Sequence, residues 1–156
     1  MDIINLLDKY YEEIIQEACK AVGKVKLKTY TKAGQELTQK KLEDLYKKII
    51  QCARKKELIP MLNFTEKIAK ERYAAGYDLY EVQTAINSLE VAIWARIFKN
   101  IRPEKLAEAL GTVSTILGAG KDNLARTYVS LATKTKTPTL NLHSLFGGSE
   151  SITNEI

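Results

Sequence analysis

Cysteine, histidine and long apolar runs are scarce in this chain, and each scarcity removes a class of function. Two cysteines among 156 residues, Cys19 and Cys52, stand far apart with no CxxC spacing and no Cys/His pairing. They read as reduced, half-buried small hydrophobes in helices, not as a disulfide framework or a thiolate metal site. The one histidine, His143, lies in a C-terminal stretch without helical patterning. A general base, a phosphorelay residue or a haem ligand needs a positioned imidazole, and no patterned helix supplies one. Paired Glu-x-x-His units, which a di-iron bundle uses, are also missing. No metal and no cofactor are therefore expected, and the expected protein is not an enzyme.

Apolar runs fall short of the roughly 20 residues that a membrane span requires. Met1-Asp2-Ile3-Ile4 lacks the basic start and apolar core of a signal peptide. The expectation is a cytoplasmic protein with no membrane association. Phosphate-binding glycine signatures are missing too. Gly118-Ala119-Gly120-Lys121-Asp122 resembles a phosphate loop only superficially, because it lacks the GxxxxGK[ST] spacing and no strand precedes it; it reads as a helix break. The adjacent acids Glu12-Glu13 and Glu43-Asp44 point apart on helices, so they form solvated faces and not a carboxylate dyad. No repeat with a period of roughly 20 to 50 residues is present, which excludes a solenoid.

What is present is a globular balance, 45% hydrophobic and 28% charged residues, in a length that suits one domain with its own core. The formal charge is +5. Lys20, Lys24, Lys26, Lys28 and Lys32 lie in one acid-free stretch and account for that excess. They form either a solvated lysine-rich connector, the favoured reading, or, with Tyr30 nearby, a loop that touches phosphate, as in nucleic acid, or an anionic membrane surface. Elsewhere acids and bases alternate, as on solvated helix faces.

The hydrophobic pattern is helical from end to end and predicts an all-α bundle of about five to six helices. Ile3, Leu6, Leu7, Tyr10, Tyr11, Ile14, Ile15 and Ala18 share a face, giving one amphipathic helix over 3–22 that Gly23 stops. The lysine-rich stretch to Gly34 reads as a loop. A second helix runs from about Thr38 to Leu58, before Pro60. A third, starting near Pro60 or Thr65, ends at Gly76, a residue tolerant of the left-handed conformation. The next start is the best marked: Asp78 caps, Glu81 completes a capping box, and Tyr77 and Val82 occupy the positions of a hydrophobic staple. That fourth helix, to about Ile101, is apolar around much of its circumference, so it is expected at the centre with Trp94 in the core. Pro103 opens a fifth, with Leu106, Leu110, Val113, Ile116 and Leu117 in one stripe. Gly118 and Gly120 are expected to break it before a last helix over 121–131. Gly111, Ser114 and Gly118 share a face that admits close approach of another helix, within the fold or across a dimer interface. The eight tyrosines are expected at helix edges, ring buried and hydroxyl wet. One domain over 1–133 and a mobile or loosely docked tail over 134–156 complete the layout.

The stretch Glu71-Arg72-Tyr73-Ala74-Ala75-Gly76-Tyr77-Asp78-Leu79-Tyr80-Glu81-Val82-Gln83, followed by Leu89-Glu90-Val91-Ala92-Ile93-Trp94, resembles the central motif of the RsbRD N-terminal domain family. The shared pattern is an Arg before a helix-ending Gly, an aromatic-x-Leu-x-Glu-Val start, and a helix bearing an apolar or Trp position about a dozen residues on. The resemblance is specific over 66–97 and extends over the helices from 3 to about 133. It implies a sensory input domain of bacterial stress signalling, globin-like but without haem, homodimeric, and acting on a signalling partner. In that family an output module usually follows, and 156 residues leave no room for one, so a stand-alone member is expected. Arg72, Gly76, Asp78, Leu79, Glu81, Val82, Leu89 and Trp94 would then hold the shape of the central helix pair. The rival reading is a small basic helical nucleic-acid-binding protein using the lysines from 20 to 32.

Overall fold

In the computed structural model, residues 1–25 and 32–135 are described. They form six helices: α1 (Ile3–Lys9), α2 (Tyr11–Lys24), α3 (Lys32–Lys55), α4 (Ile59–Ala74), α5 (Leu79–Asn100) and α6 (Pro103–Thr135). No strand occurs among them, so the all-α architecture follows from the helical periodicity as expected. No helix among the described residues is long and apolar enough to cross a membrane.

The first expected helix is two. Asp2 caps α1 by accepting from the Asn5 N–H at 2.8 Å. The chain then kinks at Tyr10 (φ −102°, ψ 21°) before α2 resumes. A cause lies on another helix: the Tyr46 hydroxyl of α3 donates to the Leu7 carbonyl at 2.6 Å, occupying an acceptor of the helical ladder where the chain bends. A side chain inserted into that ladder is a recognised origin of kinks. Gly23 does not stop α2, which continues to Lys24 and ends at extended Val25. The lysine-rich loop is shorter than expected, because α3 starts at Lys32 and takes Gly34 into its first turn.

α3 ends through Lys56, which adopts φ 56° while the Glu57 N–H bonds back to Cys52 O at 3.3 Å. α4 starts with Pro60 in its first turn, where a missing N–H leaves no helical bond unmade. α6 runs unbroken for 33 residues, so Gly118 and Gly120 do not divide it. Val113, Leu117 and Leu124 are all buried and form a continuous stripe across the glycines. Packing of that stripe outweighs the roughly 1 kcal/mol helix penalty of each glycine.

α4 lies along α6 and α2 along α5, while α3 packs against each of the other five helices. The helix expected to be central, α5, leaves Tyr80, Val91 and Phe98 at 64%, 62% and 60% exposure. Its apolar circumference serves two faces, of which only one meets the core. Trp94 accordingly is half-buried, packed at the edge of the core and not inside it.

Candidate functional site

The residues singled out by their motif converge at the corner where α4 turns into α5. Gly76, at φ 90°, reverses the chain, and its N–H bonds to Tyr73 O at 3.1 Å while the Tyr77 N–H bonds to Arg72 O at 3.0 Å. These two bonds make a Schellman cap, a geometry that brings the residue after the glycine against the one five positions earlier. Here that pair is Tyr77 and Arg72, and the guanidinium sits 4.6 Å from the ring centroid, a cation–π distance. Next, Asp78 Oδ1 accepts from the Glu81 N–H at 3.0 Å and Glu81 Oε1 from the Asp78 N–H at 3.3 Å. The capping box read from the sequence is therefore present. A third helix clamps the corner: the Tyr128 hydroxyl of α6 donates to Tyr77 O at 3.0 Å, and its ring meets Tyr73 edge-on at 5.6 Å.

Between this corner and α3 lies a narrow cleft of about 60 Å³. Leu42, Leu45, Ile68, Val82 and Ile86 line its apolar part, and Thr38, Lys41, Thr65, Arg72 and Glu81 bring polar groups to it. Glu81 is 5% exposed. Lys41 donates to Glu71 at 2.8 Å, a hydrogen bond that holds the Glu71 carboxyl below its ordinary range. The Nε of Arg72 is buried and has no hydrogen-bond partner among the described residues. A buried donor left unmatched calls for an explanation, because desolvating it is unfavourable. The Schellman cap accounts for where the guanidinium stands but not for the empty Nε.

The other expected residues lie elsewhere. Leu79 is half-buried beside the corner. Leu89, with no exposure, and Trp94 sit further along α5, Trp94 roughly 24 Å from Asp78 at a rise of ~1.5 Å per residue. The indole Nε1 of Trp94 is also buried without a partner among the described residues. Gly111 and Gly118 are exposed and Ser114 half-buried. A Cβ on either glycine would meet nothing within 4 Å, so neither glycine serves a close helix approach within the fold. Close approach occurs instead at Gly120, where a Cβ would lie 2.9 Å from Met61 Cγ and Sδ.

Lys20 and Lys24 are exposed on the last turns of α2, and Lys32 opens α3. Lys26, Lys28 and the tail from 136, with His143, lie outside the described residues. Cys19 is half-buried and Cys52 buried, both free, and burial pushes both thiols up. No group of three His, Cys, Asp or Glu side chains suited to a metal ion occurs among the described residues.

Sequence reasoning missed Lys41, Tyr128 and the Glu90–Lys121 pair, whose atoms meet at 2.8 Å with Glu90 only 8% exposed. No local signal marks any of them, since each meets its partner across 30 or more residues. The chain matches no protein-family model, no curated protein sequence and no solved structure.

Proposed function

We propose that this protein is a non-enzymatic signal-input domain of the bacterial stress-signalling type that its Arg72-to-Trp94 motif resembles, with a globin-like bundle that works without haem. The observation that carries this reading is the cleft beside the α4–α5 corner, which Arg72 lines together with apolar side chains and whose buried Arg72 Nε has no partner among the described residues. A small, part-apolar molecule bearing a hydrogen-bond acceptor complements that arrangement. Such a group satisfies the Nε–H and covers the surface of Leu42, Ile68 and Val82. Its binding energy would act on the junction of three helices, which is where an input must act to bias the packing of a bundle.

The test is an NMR titration with short carboxylates from acetate to butyrate and with the matching primary amides. Arg72 Nε–H and the Tyr77 ring should shift together and saturably, and Arg72→Met should abolish the effect while the protein remains folded. Comparison of acids with amides reports whether the acceptor is charged. If the cleft resonances stay still through the whole series, or respond equally in Arg72→Met, the cleft is not an input site and the reading fails.

A further inference from the structure

The cleft beside the α4–α5 corner carries cations and carboxylates in balance. Lys41 from α3, Arg72 from α4 and Glu81 from α5 all line it. Lys41 is matched by Glu71, its Nζ 2.8 Å from the carboxylate with the two side chains 27% and 35% exposed. That hydrogen bond holds the Glu71 carboxyl below its ordinary range, so Glu71 is ionised at neutral pH. Glu81, 5% exposed, brings a second carboxylate, whose Oε1 accepts from the Asp78 N–H at 3.3 Å. It stands at the N-terminus of α5, the end of a helix that attracts anions. The chain's own carboxylates already serve that end, since Asp78 Oδ1 takes the Glu81 N–H at 3.0 Å. Lys67, one turn before Glu71, is exposed and does not line the cleft.

We propose that this cleft selects an uncharged carbonyl compound, such as a short amide, over a carboxylate of the same size; the inference rests on the reading of the cleft as an input site. Among the nitrogens of Arg72, Nε is the one buried without a partner among the described residues. A single N–H calls for one acceptor lone pair, which a carbonyl oxygen supplies. Arginine ordinarily grips a carboxylate through two parallel N–H···O bonds, and only one such donor is left unmatched here. A carboxylate would also bring its charge into a cleft that holds the buried Glu81 carboxylate. It would surrender its own hydration on entry and gain no unmatched cation, a combination that is unfavourable where water is scarce. A neutral carbonyl satisfies the Nε–H without disturbing either Lys41–Glu71 or Glu81.

Size and lining fix the rest of the molecule. The cleft holds about 60 Å³, and a water-sized group needs roughly 10–15 Å³, so about four to six heavy atoms fit. Leu42, Leu45, Ile68, Val82 and Ile86, each 7% exposed or less, form its apolar part. The substituent on the carbonyl is therefore a short alkyl group, which removes further apolar surface from water as it enters. Propionamide has these dimensions, and propionate has the same shape with a charge.

The test is a chemical-shift titration of the Tyr77 ring with propionamide and with propionate, in the wild-type full chain and in Glu81→Gln. In the wild type propionamide should bind saturably, and propionate should bind about tenfold more weakly or not at all. Glu81→Gln removes the negative charge, while a glutamine at this position still completes a capping box. It should strengthen propionate binding about tenfold, so that the preference narrows or reverses. Glu71→Gln leaves Lys41 without its carboxylate and should act in the same direction, which keeps the test open if Glu81→Gln fails to fold. Propionate that binds the wild type as tightly as propionamide, or that gains nothing from either substitution, would overturn the uncharged class and leave the cleft standing as an input site. Silence of the Tyr77 ring toward both molecules would instead remove the input reading, and this inference with it.

Discussion

At Gly76 the cost of a side chain is separable from any clash. The residue holds φ 90° and a Cβ there would meet nothing within 4 Å, so a substitution is penalised through the backbone alone. Gly76→Ala should therefore cost about 1–2 kcal/mol, Gly76→Asn less because its short polar side chain tolerates left-handed geometry, and Gly76→Val most. Urea unfolding of the three variants checks the order; equal stabilities would mean that the Schellman cap is not formed. This corner was the part of the candidate site that could be read directly. Gly76, Asp78 and Glu81 act on backbone groups within a few positions, and short-range hydrogen bonding imposes their spacing. The cleft beside it was not legible, because Lys41 and Phe64 reach it from helices whose approach no local pattern specifies. Trp94 shows the limit from the other direction: its helical position is correctly read, but whether that position faces the core or the edge depends on which neighbours α5 acquires.

Single helices differ in how much of their extent is locally determined. α4 and α5 start and end near the expected residues, since Pro60, Gly76 and Asp78 are strong local stops and starts. α6 ignores its glycines because a buried stripe crosses them. The two classes of glycine in α6 now separate: Gly120 faces Met61 and Thr65 of α4 at contact distance, whereas Gly111 and Gly118 face open space. Gly120→Val should overpack the α4–α6 contact, where Met61 has no exposure, and cost about 2–3 kcal/mol. The check is thermal unfolding of Gly120→Val beside the wild type; equal melting temperatures would place α4 further from α6 than described. At the other end of the chain, α1 and α2 part at Tyr10, although Ile3 to Ala18 keep one unbroken helical pattern. Periodicity reports which side of a helix is apolar, and a kink that preserves the apolar side leaves that pattern unchanged.

Across the whole molecule, buried tyrosine hydroxyls tie helices together, among them those of Tyr46 and Tyr128. Tyr46 has no exposure and bonds to Leu7 O, so its hydroxyl is dry, unlike the wet hydroxyl expected at a helix edge; burial pushes its pKa well above the ordinary value, with Asp8 adding to the effect. Tyr128 is pushed up to about 12, chiefly by burial, although Arg72 acts in the opposite sense. In both cases the folded state favours the protonated form. Their contribution is therefore fully present below the ordinary pKa of about 10 and is lost as pH rises through the folded value. Melting temperature should hold steady up to about pH 10 and fall between about pH 10 and 12. Tyr46→Phe, expected to cost ~1 kcal/mol at neutral pH, should flatten that fall, and thermal melts of both proteins across this range measure it. An equal fall in both would assign the alkaline loss to other groups. By itself the sequence determined the helical class, the α4–α5 corner with its two caps, and most of the side-chain positions in the core, because each follows from contacts within a turn or two of the chain. The kink at Tyr10, the continuity of α6, the passage of α3 among all the other helices and the assembly of the cleft were decided only by tertiary structure. Each depends on a hydrogen bond or a packed stripe between residues far apart in sequence, and such contacts exist only once the helices have found their partners.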